Sequence, residues 1–314
     1  MTYPINNTPF SEGASELDFA YLQTLLRQQA QRRPLYENVA IVGCGYVGTA
    51  LADQWQAQGH FVTGTTTRRE RSAALEEVVS KVAVMRGDDA SAVQSVIQDQ
   101  DTVVVSVAPT NSYSAETDPY GATYLPTARN LVQALEQAPR VKQLIYLSSH
   151  SVYGDRGGEW VDETTPVFPS DYQGQVLCEA ERIMLQAATE TRKVCIFRLG
   201  GIYGPGRELV GMFGGMAGMI APGKGDRVIN WIHRDDIVSA IEFARLNQLQ
   251  GIYNLVDDSK LTVREQVDTV CSRYGLPRVF WDSSRPGLRR KNLRVSNRKL
   301  IAAGYQLVHP QLLV

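Results

Sequence analysis

The sequence predicts a doubly wound α/β fold: a parallel sheet with helices on both faces, followed by a smaller C-terminal lobe. Three observations predict it. From Asn38 onward, apolar runs alternate with amphipathic segments. A G-x-G-x-x-G motif joins the first apolar run to the first amphipathic segment. After about residue 200 the alternation breaks and glycines and prolines cluster.

Residues 1–37 read as an N-terminal extension. A turn-like opening, "MTYPINNTPFSEG", leads into "SELDFAYLQTLLRQQAQRR", where Leu17, Tyr21 and Leu25 recur at helical spacing. This predicts one helix, capped by Ser15 and packed on its own domain or on a partner. Residues 38–200 form the dinucleotide-binding core. Its strands are "VAIVG", "HFVTGT", "KVAVM", "TVVVSVA", "QLIYLSS" and "VCIFRLG". They are rich in valine and isoleucine and do not alternate with polar residues, so both faces are buried, as in a parallel sheet. Between them lie helical patterns such as "YVGTALADQWQAQG", where Val47, Leu51 and Trp55 recur every four residues.

Residues 201–314 read mainly as a substrate-side lobe. "LGGIYGPGRE" and "APGKGDR" are loops, and "VINWIHRDDIVSAIEFA" is a strand entering a helix that Asp235 and Asp236 are expected to cap. "GIYNLVDD" returns one strand, about 251–256, to the core, and 259–314 read as helix and loop.

Composition narrows the function. A chain with 43% hydrophobic and 21% charged residues is an ordinary globular protein. A formal net charge of -1 gives no basis for a nucleic-acid surface or a polybasic membrane patch. The longest late apolar stretch, "LVGMFGGMAGMIAPG", is too short and glycine-rich to span a bilayer. No apolar run follows a basic start, and Cys44, Cys178, Cys195 and Cys271 form no C-x-x-C pair. These features predict reduced thiols in a cytoplasmic protein. His60, His150, His233 and His309 are scattered, so no metal constellation is expected.

The motif at Gly43, Gly45 and Gly48 follows a strand and opens a helix, the context in which it cradles a dinucleotide diphosphate. Gly43 permits the tight turn, Gly45 clears space for the diphosphate, and Gly48 allows close helix–strand packing. The helix then begins at Tyr46 and Val47, with free amides and a partial positive charge facing the anion. An NAD site usually carries an acidic residue at the end of the next strand, which reads here "VTGTTTRRERS". Thr66 offers a hydroxyl, and Arg68 and Arg69 offer guanidinium groups suited to a 2′-phosphate. The cofactor expected is therefore NADP in preference to NAD.

Six stretches resemble the extended and atypical short-chain dehydrogenase/reductase family, its NAD-dependent epimerase/dehydratase group. They are "GCGYVG", "RGDD", "LIYLSSHSVYGDRGGEWVDETTP", "FRLGGIYGPGR", "NWIHRDDIVSAI" and "GIYNLVDD", spanning roughly 39–258. "LRVSNRKLIAAGYQL" resembles the closing segment of one atypical subgroup. The resemblance implies a Rossmann-type core. It implies that Asp88 lies beside the adenine, that Ala108 and Pro109 line the nicotinamide side, that Ser149 is the active-site serine, and that Tyr203 belongs to the loop near nicotinamide. It also implies a homodimer built from helices at about 120–137 and 173–190, although Pro126 interrupts the first near its start.

The same resemblance calls for a tyrosine followed four residues later by a lysine. The segment reads "SDYQGQVLCEAER". With Tyr172 as the tyrosine, Val176 stands at the lysine position. With the neighbouring glycine and glutamate aligned instead, Gln173 and Leu177 stand there. Bringing a tyrosine from a pKa near 10 to about 7 takes roughly 4 kcal/mol, which an adjacent ammonium would supply. The expectation is thus an oxidoreductase or epimerase on a small carbonyl or hydroxyl compound, its acid drawn from Tyr172, Tyr153 or Tyr203. The alternative is a catalytically weak NADP-binding regulator, sensor or assembly factor. The absence of an arginine cluster in 209–227 disfavours a nucleotide sugar, while Arg207, Lys224 and Arg227 could hold one anionic group.

Overall fold

The computed structural model describes residues 36–109, 118–287 and 291–313 of the 314-residue chain. The predicted N-terminal helix lies outside them. Strands β1 (Asn38–Val42), β2 (Phe61–Thr66), β3 (Lys81–Val84), β4 (Thr102–Val105), β5 (Gln143–Ser149), β7 (Lys193–Leu199) and β11 (Gly251–Leu255) form one seven-stranded sheet. Its order is β3-β2-β1-β4-β5-β7-β11, and every pairing is parallel. The chain thus runs outward from β1 in one direction, then crosses back to β4 and runs outward in the other. Such a reversal opens a crevice above the carboxyl ends of the two central strands, where doubly wound folds bind ligands.

Both faces are covered, as the unbroken valine-rich strands require. On one face, helices α1 (Tyr46–Ala57) and α7 (Arg234–Asn247) bury Leu51, Trp55, Ile237 and Ile241 against β1, β5 and β7. On the other, α3 (Ala90–Ile97), α4 (Pro119–Glu136) and α5 (Tyr172–Leu185) bury Val93, Leu131, Leu135 and Ile183. Each large apolar side chain so buried contributes about 1.5–3 kcal/mol. The short helix α2 (Ser72–Glu76) follows β2. Helix α4 continues through Pro126. The lost amide and ring clash cost about 3 kcal/mol, which the Asp118 cap and the buried Ala128, Leu131 and Leu135 offset.

The lobe is more strand-rich than its sequence suggests. β8 (Gly201–Tyr203) pairs with β10 (Trp231–His233), and β9 (Ile220–Pro222) pairs with β12 (Phe280–Asp282). β6 (Trp160–Val161) pairs with β13 (Arg294–Val295), so 259–314 is not purely helix and loop. Helices α6 (Leu209–Phe213) and α8 (Val263–Arg273) close a separate apolar cluster around Tyr203, Phe213 and Trp231, and α9 (Arg298–Ala302) packs beside β11. The predicted returning strand is β11. Among the described residues no helix is long and apolar enough to cross a membrane, and all four cysteines are free thiols.

Candidate functional site

A cleft of about 1550 Å³ opens where the strand order reverses. Its floor is the 43–47 bend. One end is walled by 65–68 and 86–88, the other by 106–109, 147–149 and 199–200, and 205–207 and 234–235 form its rim. That volume exceeds the roughly 300–1,000 Å³ of a drug-sized site and suits an elongated ligand.

The glycine bend is built as its spacing predicts. Gly43 has φ +96°, and a Cβ there would stand 2.8 Å from the Ser106 carbonyl oxygen. A Cβ on Gly48 would lie 2.6 Å from the Gly43 carbonyl oxygen, so helix and strand touch backbone to backbone. A Cβ on Gly45 meets nothing within 4 Å and would project into open space, although Gly45 lines the cleft. No side chain caps α1. Its first-turn amides, at Tyr46, Val47 and Gly48, therefore have no intrahelical partner and remain available to an anion. The Gly43 amide donates to Thr65 Oγ1 at 2.9 Å, and the Cys44 amide to the Thr65 carbonyl at 2.8 Å, tying the bend to β2. Burial pushes the Cys44 thiol up to about 12, so it is an inert wall. A dinucleotide diphosphate fits this cradle.

At the end of β2, Thr66 and Arg68 line the cleft as expected, but Arg69 does not; Arg71 does. Residues 69–71 form a 3₁₀ turn, in which residues three apart eclipse. The turn, entered from the extended Arg68, thus brings Arg68 and Arg71 but not Arg69 to the cleft wall. Arg68 donates its backbone amide to Thr66 Oγ1 at 3.2 Å, which fixes the turn. Asp88 also lines the cleft. Its carboxylate is gripped by Arg86 at 3.0–3.2 Å, and that hydrogen bond holds it below the usual carboxylate range. The cap of α3 is the next residue, Asp89.

At the opposite end, Ala108, Pro109 and Ser149 all line the cleft. The Ser148 hydroxyl donates to Glu181 Oε1 at 2.6 Å, and Glu181 is in turn held by Arg198 at 2.7 Å, both buried. Among the described residues the Ser149 hydroxyl oxygen only accepts, from the Ser151 amide at 3.2 Å. Its proton therefore remains available for a ligand.

The three candidate tyrosines are not brought to Ser149. Tyr153 is fully buried, donates its hydroxyl to Asn254 Oδ1 at 2.8 Å and lies under Arg198. Tyr203 is buried against Trp231 and His233, and its hydroxyl accepts from the Leu313 amide at 3.2 Å. Burial raises both. Tyr172 is exposed, does not line the cleft, and donates to the Asp118 carboxylate that caps α4. That bond raises its pKa, the direction opposite to that of an activated tyrosine. Val176 and Leu177 are both 4% exposed and face inward, so neither register leaves a charged group on α5 at the lysine position. We expect Tyr172→Phe to change the rate of NADPH consumption with a carbonyl panel by less than about twofold. A loss of a hundredfold would restore Tyr172 as the acid.

Two features escaped sequence reasoning. Tyr46 lies between Arg207 and Arg234, whose guanidiniums sit 4.2 and 5.4 Å from its ring centroid, and its hydroxyl donates to the Pro205 carbonyl at 2.9 Å. This joins the glycine bend to the 205–207 loop on the cleft rim. The second is a cluster of His233, Asp236 and His309, whose donor atoms lie within 4.8 Å of one another. His233 itself caps α7 by accepting the Asp235 amide. Asp236, fully buried, accepts from the Tyr305 hydroxyl and from the Val308 and His309 amides. Asp236 is thus an anchor for the C-terminal segment, not the helix cap expected for it. The neighbours that define the cluster lie some seventy residues on, beyond any local motif.

Comparison with known proteins agrees with this geometry. The sequence profile of the NAD dependent epimerase/dehydratase family matches residues 39–255. The chain is 33% identical over 228 residues to Protein YeeZ of Escherichia coli strain K12, covering 70% of this chain and 77% of YeeZ. A functionally unknown conserved protein from Silicibacter pomeroyi superposes with a TM-score of 0.70 at 26% identity, over 88% of this chain and 95% of that one. The UDP-glucose 4-epimerase of Thermus thermophilus, solved with NAD, shares the fold with a TM-score of 0.69 at 23% identity, over 86% and 94%. With its strand order, its glycine cradle and two-thirds of its length accounted for, this chain belongs to the NAD-dependent epimerase/dehydratase family.

Proposed function

We propose that the chain is an NADP-dependent oxidoreductase or epimerase acting on a small carbonyl or hydroxyl compound. One observation carries the choice of cofactor: Arg68 and Arg71 line the cleft at the end of β2, whereas Glu70 between them, 4.0 Å from the Arg68 guanidinium, does not. Two guanidiniums favour a 2′-phosphate, and a free ribose hydroxyl would miss its usual acidic acceptor.

In this reading the amides of Tyr46, Val47 and Gly48 hold the diphosphate, with Arg207 and Arg234 adding positive charge at the rim. When bound, the nicotinamide supplies hydride chemistry. Ser149 orients the substrate oxygen by donating its free hydroxyl hydrogen. The lobe segment 209–222, rich in small and apolar residues and without arginine, suits a compact substrate.

Binding calorimetry tests the cofactor. We expect the wild-type chain to bind NADPH at least tenfold more tightly than NADH. The Arg68→Ala/Arg71→Ala double variant should bring the two Kd values together, a loss of about 1–3 kcal/mol toward NADPH alone. Tighter binding of NADH by the wild type would overturn the preference.

A second reading is a regulator or assembly factor that holds the dinucleotide without turnover. It draws on the apolar Val176 and Leu177 and on the three tyrosines committed elsewhere. Tight NADPH binding with no consumption across a carbonyl panel would favour it.

A further inference from the structure

With all three tyrosines drawn away, the cleft needs another proton carrier, and a histidine stands beside Ser149. We propose that His150 is the group that exchanges a proton with the substrate oxygen. The inference rests on the nicotinamide-dependent reading above.

His150 opens the 3₁₀ turn at the end of β5; it does not itself line the cleft of about 1550 Å³ but directly follows Ser148 and Ser149, which do. Its Nδ1 lies 2.8 Å from the carbonyl oxygen of Leu199, itself a cleft residue. A carbonyl can only accept, so Nδ1 carries the hydrogen and the Nε2 lone pair is left as the base. The ring is thereby fixed in one tautomer and one orientation. His150 is partly exposed, and Nε2 has no hydrogen-bond partner among the described residues. The other histidines differ: His60 and His233 are buried and each accepts a backbone amide at Nδ1, and His309 belongs to the Asp236 cluster.

The surroundings favour the neutral ring. Burial lowers the His150 pKa most, and Lys291 and Arg227 lower it further, against the opposing pull of the Leu199 carbonyl. Lys291 is itself paired with Asp171 at 2.9 Å, at the cap of α5. Thus Lys291, in the segment before β13, brings its positive charge near His150 instead of to the α5 position where the family pattern has its lysine. At neutral pH His150 stands ready as a base.

The step balances as follows. The substrate O–H bond breaks and its proton passes to Nε2. The hydrogen on the same carbon leaves with both bonding electrons as hydride, taken up by the oxidised nicotinamide dinucleotide. A C=O bond forms and His150 becomes an imidazolium. In the reductive direction the imidazolium returns the proton to the new alkoxide.

Two measurements on the full chain test this. The first is carbethoxylation by diethylpyrocarbonate, followed at the His150 peptide by mass spectrometry, which reads the neutral ring without any substrate. We expect His150 to react, with a rate that rises through an inflection below pH 6.5 and is level at neutral pH. An unreactive His150 beside a reactive His309, or an inflection above 6.5, overturns the proposal. The second uses His150→Asn, whose side-chain amide can keep the bond to the Leu199 carbonyl while removing Nε2. For any compound the wild type turns over, the variant should lose at least a hundredfold in kcat and leave the NADPH Kd within about twofold. The alkaline plateau of the oxidation rate should disappear with it. Retained turnover in the variant refutes the assignment. Failure of the wild type to bind any nicotinamide dinucleotide overturns the function beneath it, whatever the carbethoxylation result.

Discussion

Gly45→Asp is expected to abolish dinucleotide binding while leaving the protein folded. The two halves of this result have separate causes. Gly45 has φ −88° and ψ −144°, and a Cβ there would meet no atom within 4 Å. Folding therefore tolerates a side chain, and a Tm within about 2 °C of wild type is expected, corresponding to about 1 kcal/mol. Binding does not tolerate it. The new carboxylate would occupy the space at the head of α1 that the amides of its first turn leave for an anion. Juxtaposed like charges cost several kcal/mol, and the displaced diphosphate loses its amide contacts as well. We expect Kd for NADPH and NADH alike to rise at least a hundredfold, or about 3 kcal/mol. Gly48→Ala provides the contrast, since its methyl group would sit 2.6 Å from the Gly43 carbonyl oxygen. That variant should lose stability together with binding. If Gly45→Asp binds either dinucleotide as tightly as wild type, the glycine bend is not the phosphate site.

The bend was legible in the sequence because each glycine there answers a separate steric demand at fixed spacing. The sheet was legible because strands buried on both faces have no choice but continuous apolar runs. The less legible parts depend on contacts without local pattern. β6 and β13 are two residues each and pair across more than 130 positions, so neither shows periodicity. Arg71 lines the cleft in place of Arg69 because the chain tightens into a 3₁₀ turn, which an arginine-rich loop does not announce. Tyr172 reads as a catalytic tyrosine by position, and only the fold shows its hydroxyl turned to the cap of α4. Pro126 reads as a helix break, and only the buried face of α4 shows why the helix survives it. The absent lysine, by contrast, was fully legible. Its consequence, a cleft end without an activated tyrosine, needed the structure.

The largest expected pH effect on stability comes from Asp257, just beyond β11. It is fully buried, and one carboxylate oxygen has no partner among the described residues; the other accepts the Ser259 amide at 3.0 Å. Lys260 lies close, but its ammonium donates to the backbone carbonyls of Asp257 and Ser259. Burial lifts the Asp257 pKa from 3.8 to about 7, with Lys260 opposing. The folded protein therefore holds a proton that the unfolded chain releases near pH 4. Stability from this group is full below the unfolded value and is lost as pH rises from about 4 through about 7. Integrated over that window the loss reaches up to about 4 kcal/mol. Asp257→Asn imitates the protonated acid in shape and keeps an oxygen for the Ser259 amide. Denaturant unfolding of both proteins at pH 5 and pH 8 isolates the contribution of Asp257 and its neighbour Lys260, because titrating groups away from this pair cancel in the difference. We expect the advantage of the variant over wild type to grow by about 2–3 kcal/mol between pH 5 and pH 8. A difference that stays constant with pH would mean that Asp257 is ionised throughout, its orphan oxygen satisfied by solvent or by the Lys260 ammonium.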